Sequence, residues 1–199
     1  MVQTLQEVDA HELLEPYLLQ FQQCYDEALQ QLNQIILTYP HLNHARTRAT
    51  MMHNLVVSLI KERLSNDAAV HIITKYESIT VVIGNSVYGR FKKINRRGIS
   101  SNIRTRRNEA ILQQQLEIPF ANVPAAANVD IGYVIDPMWT EFDDLRVVCR
   151  RGGNVLWEFS FVEVAQPRTN TVPIAEVPVP QKPRFIIKKN NEDNIKKAN

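Results

Sequence analysis

The residues with the most chemical potential lie between Tyr88 and Arg107. The run reads Tyr88-Gly-Arg-Phe-Lys-Lys-Ile-Asn-Arg-Arg-Gly98, then Ile99-Ser-Ser-Asn-Ile-Arg-Thr-Arg-Arg107, and it holds eight of the 23 basic residues. No acid lies between Glu77 and Glu109, so the overall formal charge of +2 conceals a basic centre in an otherwise acidic chain. Such a concentration points to an anionic partner or to a strongly solvated face. In a strand ending at Ile94, alternation sets Tyr88, Arg90 and Lys92 on one face, with Val87, Phe91 and Lys93 on the other. Phe91 is then the core anchor. An aromatic beside two cations suits a phosphate backbone with one stacked base. Arg96 and Arg97 follow at an exposed exit, before Gly98 turns the chain.

The second half of the run is more informative than its charge. If a helix begins between Asn102 and Thr105, then Arg104, Arg106 and Arg107 fall in its first turn. Cations there oppose the helix dipole by roughly 0.3 to 1 kcal/mol each, so stability alone would favour acids. Free backbone N–H groups, three guanidinium groups and the Ser100, Ser101 and Asn102 side chains together make an anion site. The plainer alternatives are a patch that keeps an edge strand from pairing, or ion pairs to acids elsewhere in the fold.

Other groupings carry weaker signals. Arg48 and His53 stand five apart on one predicted helix, on nearly the same side of it. Their spacing resembles the Arg-x4-His pair of helical-bundle ribonucleases among bacterial toxins, which implies metal-independent RNA cleavage by those two residues. The chain has Ala49 where those enzymes carry a polar residue, and its strand-rich remainder departs from an all-helical fold. His41 and His44 straddle a loop-to-helix junction with no third ligand at metal spacing, so no metal centre is expected. No Asp-x-Lys or Glu-x-Lys occurs, which removes the main support for a restriction-type nuclease. Asp136-Pro-Met-Trp-Thr-Glu-Phe-Asp-Asp144 reads as an acidic connection with solvated acids. It would otherwise pair with the basic run, or meet a partner through Trp139. Trp157, among alternating apolar residues, is expected in the core. Cys24 and Cys149 belong to no CxxC pair and read as two buried thiols, consistent with a reducing cytoplasm.

The elements that must position these residues can be read from periodicity. Residues 10 to 37 repeat apolar groups at helical spacing, from Leu13 and Leu14 to Ile35 and Ile36, with Pro16 in the first turn or just before it. Thr38-Tyr-Pro-His stops that helix. Asn43 is the expected N-cap of a second helix, 44 to 65, and the two form a helical hairpin. Extended segments follow at Val70 to Tyr76, Ile79 to Ile83 and Ser86 to Ile94, with Gly84-Asn85 as a hairpin signal. A helix from 103 or 106 to 115, capped by Thr105 or Asn102, leads to a loop from Glu117 to Asn128. Strands resume at Val129 to Ile135, Leu145 to Cys149 and Val155 to Val164. Consecutive hairpins predict an antiparallel sheet of five or six strands in the order ααβββαβββ, an α+β domain covering residues 1 to 165. Five of the ten prolines fall between Pro167 and Pro183, so residues 166 to 199 read as an extended, basic tail.

At 199 residues, 44% apolar and 22% charged, the chain suits one ordinary globular domain plus an appendage. It shows no signal peptide and no apolar run long enough to span a membrane. Arg90-Phe-Lys-Lys with Ser100-Ser-Asn-Ile, Gly132-Tyr-Val-Ile-Asp136 and Val155-Leu-Trp together resemble an uncharacterised family of bacterial mobile-element proteins. Such proteins are encoded beside helix-turn-helix regulators with a metallopeptidase-like domain. The resemblance spans residues 50 to 165. It implies the effector of a toxin–antitoxin or phage-defence pair, a cognate regulator as partner, and no assigned active site. The expectation is a cytoplasmic protein, with no cofactor, that binds nucleic acid or another phosphate ligand through residues 88 to 107. The alternatives are the Arg48/His53 ribonuclease and a non-catalytic adaptor whose tail docks partners.

Overall fold

In the computed structural model, residues 3–75, 78–100, 105–114 and 125–161 are described. A buried stripe of Leu14, Leu18, Phe21, Tyr25 and Leu32, spaced three, four or seven apart, defines the inner face of helix α1 (Glu7–Thr38). Pro16 lies inside this helix and not in its first turn, because α1 starts at Glu7. A single 3-10 turn (Pro40–Leu42) reverses the chain into α2 (Ala45–Leu64), completing the expected helical hairpin. The N-cap of α2 is His44, without a side-chain bond. Asn43 instead closes the 3-10 turn, its N–H donating to Pro40 O at 3.1 Å. An ion pair between Arg63 and Glu27 ties the helices together.

The strands are β1 (Gln3–Thr4), β2 (Val70–Lys75), β3 (Ser78–Ile83), β4 (Val87–Lys93), β5 (Ala125–Ile135), β6 (Phe142–Arg151) and β7 (Asn154–Ser160). They pair in the order β2-β3-β4-β5-β6-β7, with β1 parallel to the start of β5. The class is α+β and the two N-terminal helices precede the six strands β2 to β7, as the periodicity predicts. The pairing is mixed, not wholly antiparallel: β4 and β5 run parallel, with Lys93 opposite Tyr133. The reason is the connection between them. It passes through a third helix, α3 (Arg106–Leu112), and a crossover with a helix returns the chain in its original direction, as a tight hairpin cannot. Ala125 to Asn128, expected in a loop, are the first four residues of β5. Ala126 and Ala127 are buried there, where small side chains fit.

One face of the sheet packs on α1 and α2. Phe91 meets Phe21 at 5.6 Å between ring centroids and Tyr25 at 6.3 Å, so it is the core anchor expected of it. Trp157 is buried and donates its indole N–H to Leu5 O at 2.9 Å. On the opposite face, Ile111 of α3 is buried and Thr105 caps the helix by accepting from Asn108 N–H. Gln114 then bolts this end to the sheet: its amide donates to Arg150 O at 2.7 Å and accepts from Asn128 N–H at 2.7 Å. No described helix is long and apolar enough to cross a membrane. The tail, residues 166–199, lies outside the described residues.

Candidate functional site: a basic cleft at the ends of β4 and β5

The basic run divides into a buried part and an open part, and alternation along β4 decides which is which. Tyr88 and Arg90 point away from the helices but do not reach solvent; they are 2% and 6% exposed. Ile111 and Leu112 of α3 lie beside Arg90 on this face, and with Tyr88 and Arg90 buried the expected projecting surface of Tyr88, Arg90 and Lys92 does not form. Tyr88 packs with Val82 and Ala126. Arg90 Nη2 contacts Asp130 Oδ1 at 2.6 Å, and Arg150 Nη2 contacts Asp130 Oδ2 at 2.8 Å. Ser100 Oγ donates to the same Oδ2 at 2.8 Å and accepts from Arg150 at 2.7 Å. Burial alone would raise the Asp130 carboxyl. The charges of Arg90 and Arg150 and the bond from Ser100 outweigh it and hold the group below the usual range. This knot fixes Ser100, and with it the return of the chain from the basic turn, onto the middle of the sheet.

The turn itself is built by Asn95. Its side-chain oxygen accepts from the N–H groups of Arg97 and Ile99 at 2.9 and 3.0 Å, while its carbonyl accepts from Gly98. Gly98 has φ +69°, the left-handed conformation the turn requires. Arg96 and Arg97 are thereby held exposed at the tip, and Arg96 pairs with Asp143 at 3.1 Å. That pair bears out the reading that the acidic connection meets the basic run within the fold.

A cleft of about 950 Å³ opens where β4 and β5 end and α2 crosses them. Because these two strands are parallel, their carboxyl ends coincide. Beyond them the chain leaves one way into the Asn95 turn and the other way into the loop after Ile135. Crevices between diverging connections at strand carboxyl ends are where open sheets commonly hold ligands. The cationic lining comes from Arg46 on α2, Lys92 and Lys93 on β4, and Arg96 in the turn. Asp143 is the acid among the lining residues, and Arg96 already engages it. The apolar lining includes Phe91, Ile94, Ile99 and Val134. Tyr133 also lines the cleft; its hydroxyl is buried and has no hydrogen-bond partner among the described residues.

His53 lies in this cleft, with its ring bonded to the Phe91 backbone. Burial, then the nearby Lys92 charge, push its imidazole below the ordinary value, so it is neutral at neutral pH. Burial likewise lowers the Lys92 and Lys93 ammonium groups. Arg48 does not join His53. Five residues advance a helix by one turn plus roughly 140°, which turns the two side chains apart. Arg48 stands 5.8 Å from the ring centroid of Trp139 and donates to Met138 O at 3.4 Å. The expected catalytic pair is therefore not assembled.

Trp139 is 4% exposed, so it offers no surface to a partner. It holds φ +62°, a conformation a bulky residue adopts only under constraint. The constraint is Asp136, whose carboxylate accepts from the N–H groups of Met138, Thr140 and Glu141 at 2.6–3.0 Å. Those bonds, Glu141's foremost, keep the Asp136 carboxyl below its usual range. Lys93 Nζ lies 4.5 Å from the same ring centroid, so Trp139 takes two cations, Arg48 and Lys93.

Of the remaining candidates, Arg106 is exposed in the first turn of α3 and Arg107 donates to Lys75 O at 3.3 Å. Ser101, Asn102 and Arg104 lie outside the described residues. Arg46 and Tyr133 escaped the sequence reading. Arg46 carried no signal beyond being one more helical cation, and Tyr133 sat in an apolar strand. No family, curated protein or solved structure matches this chain.

Proposed function

We propose that the protein binds a phosphate-bearing ligand, nucleic acid included, at the cleft formed by α2 and the ends of β4 and β5. One observation carries this reading: the basic-run residues Lys92, Lys93 and Arg96 gather on the cleft with Arg46, and the acid facing them is paired. Cations around a partly apolar recess suit an anion attached to a less polar body better than they suit a bare solvated surface. The reading is tested by mobility shift at low salt with single-stranded RNA and DNA, alongside a titration with inorganic phosphate. Arg46→Gln and Lys93→Gln should each weaken binding. Absence of any shift at low salt removes nucleic acid from the ligand class.

The cellular role we propose is effector of a toxin–antitoxin or phage-defence pair, supported by the resemblance of the three motif stretches. Inducible expression in a bacterium, with and without the neighbouring regulator gene, tests it. Growth arrest relieved by the neighbour is expected; unimpaired growth rejects it.

A further inference from the structure

We infer that Asp143 is a built-in competitor for the anionic ligand: it holds Arg96 at the cleft in the free protein, and the ligand's phosphate displaces it. This rests on the phosphate-binding reading above and adds a regulation of that site. A bulge in β6 puts the carboxylate there. Val134 of β5 stands opposite Asp144, but the next residue, Ile135, stands opposite Phe142, so Asp143 is an extra residue between them. Bulges of this kind re-aim a side chain and are frequent beside ligand sites. Strict alternation would set Phe142 on the face opposite Leu145. The extra residue instead returns Phe142 to the helix side, where it meets Tyr25 and Tyr133, and Asp143 lines the cleft.

Two properties of the pair suit displacement. The contact is open to solvent: the Arg96 side chain is 83% exposed and that of Asp143 30%. Exposed pairs of this kind contribute little and are screened by salt. The contact also uses one arm of the guanidinium, Nη2 to Asp143 Oδ2 at 3.1 Å, whereas a phosphate can take two parallel bonds from the same group. The pair is not what shapes the turn. The Asn95 side chain and carbonyl hold residues 97 to 99, and Ser100 is tied to Asp130. Arg96 can therefore change partner without unfolding its turn. The neighbouring acid does not compete in this way, because Arg146 and Ser160 engage Asp144. The carboxylate of Asp143 thus stands where the anion of the ligand goes.

The test is calorimetric titration of the full chain at low salt with inorganic phosphate and with a short 5′-phosphorylated single-stranded oligonucleotide. The proteins compared are the wild type, Asp143→Asn, Arg96→Gln and the variant carrying both substitutions. Asp143→Asn keeps the shape and removes the charge. It should tighten binding of either probe roughly two- to fivefold, and in the Arg96→Gln background that gain should vanish. Glu141→Gln is the control: it removes the same charge from the same connection, is exposed and does not line the cleft, so it should leave affinity unchanged. Binding by Asp143→Asn where the wild type binds neither probe also supports the inference. A gain that survives in the double variant, or that Glu141→Gln matches, reports general charge and overturns it. Unchanged or weaker binding by Asp143→Asn overturns it as well, weaker binding because Asp143 would then position Arg96 for the ligand. In each of those cases phosphate binding stands. If neither probe binds any of these proteins, both readings fall together.

Discussion

Asp130 holds two arginines and a serine in a buried knot, and the imbalance of that knot sets its energetics. Removing the one carboxylate strands two guanidinium groups away from water, whereas removing Arg90 leaves Asp130 with Arg150 and Ser100. Asp130→Ala should therefore cost about 3–5 kcal/mol and Arg90→Met distinctly less, both measurable by urea unfolding. Equal costs would contradict the asymmetry. The carboxyl is held below the ordinary aspartate value, which is about 3.9. Its contribution to stability is thus complete above that value and is lost as pH falls through the lower folded value. Asp130→Asn should flatten the acid limb of the stability profile below about pH 4. The thiols give a second check at this scale. Burial pushes Cys24 up to about 11 and Cys149 up to about 12, so neither is a nucleophile at neutral pH. The native protein should show no reactive thiol to a disulfide reagent at pH 7.5 and two after unfolding.

At the scale of elements, the decisive feature is the parallel step between β4 and β5, because it brings two strand ends and two diverging loops to one place. Gly132 is part of that arrangement. A Cβ there would lie 2.7 Å from Ile94 Cδ1 and 2.8 Å from its Cγ2, so the stiff β-branched side chain on the cleft wall would have to move. Gly132→Ala should weaken ligand binding more than Gly153→Ala, whose Cβ would meet nothing within 4 Å. Equal binding by the two variants, in the titration described above, would show that the wall is not set by this contact. The sequence made the helical hairpin, the strand positions and Phe91 legible, since each depends on local periodicity. It hid the parallel step because hairpin signals describe neighbours in the chain. The partner of a strand that follows a thirty-residue excursion is decided by tertiary packing. Arg90 was misplaced for the same reason: alternation assigned its face correctly but could not tell that α3 lies beside it there, nor that Asp130 waits opposite it in the register.

For the whole molecule, the distribution of charge matters more than its total. The formal charge is only +2, so long-range attraction for a polyanion is weak, and binding must depend on the few cations that the fold brings together. Arg46 and Arg96 come from separate elements, lie on one cleft, and are exposed. Each phosphate contact releases counterions, so affinity for a strand falls linearly with salt on logarithmic axes, with a slope near −0.7 per contact for single strands. Arg46→Gln should therefore lower affinity for a single-stranded oligonucleotide at every salt concentration and reduce the magnitude of the slope by about one unit or less. Arg96→Gln should do less, because the arginine already spends part of its charge on Asp143. The control is Arg63→Gln, which breaks a pair between α1 and α2 and does not line the cleft. It should leave the slope unchanged even where it lowers stability. If all three variants shift the slope alike, binding follows net charge and the cleft is not the site. If only Arg46 and Arg96 alter it, the anion is held where α2 crosses the ends of β4 and β5.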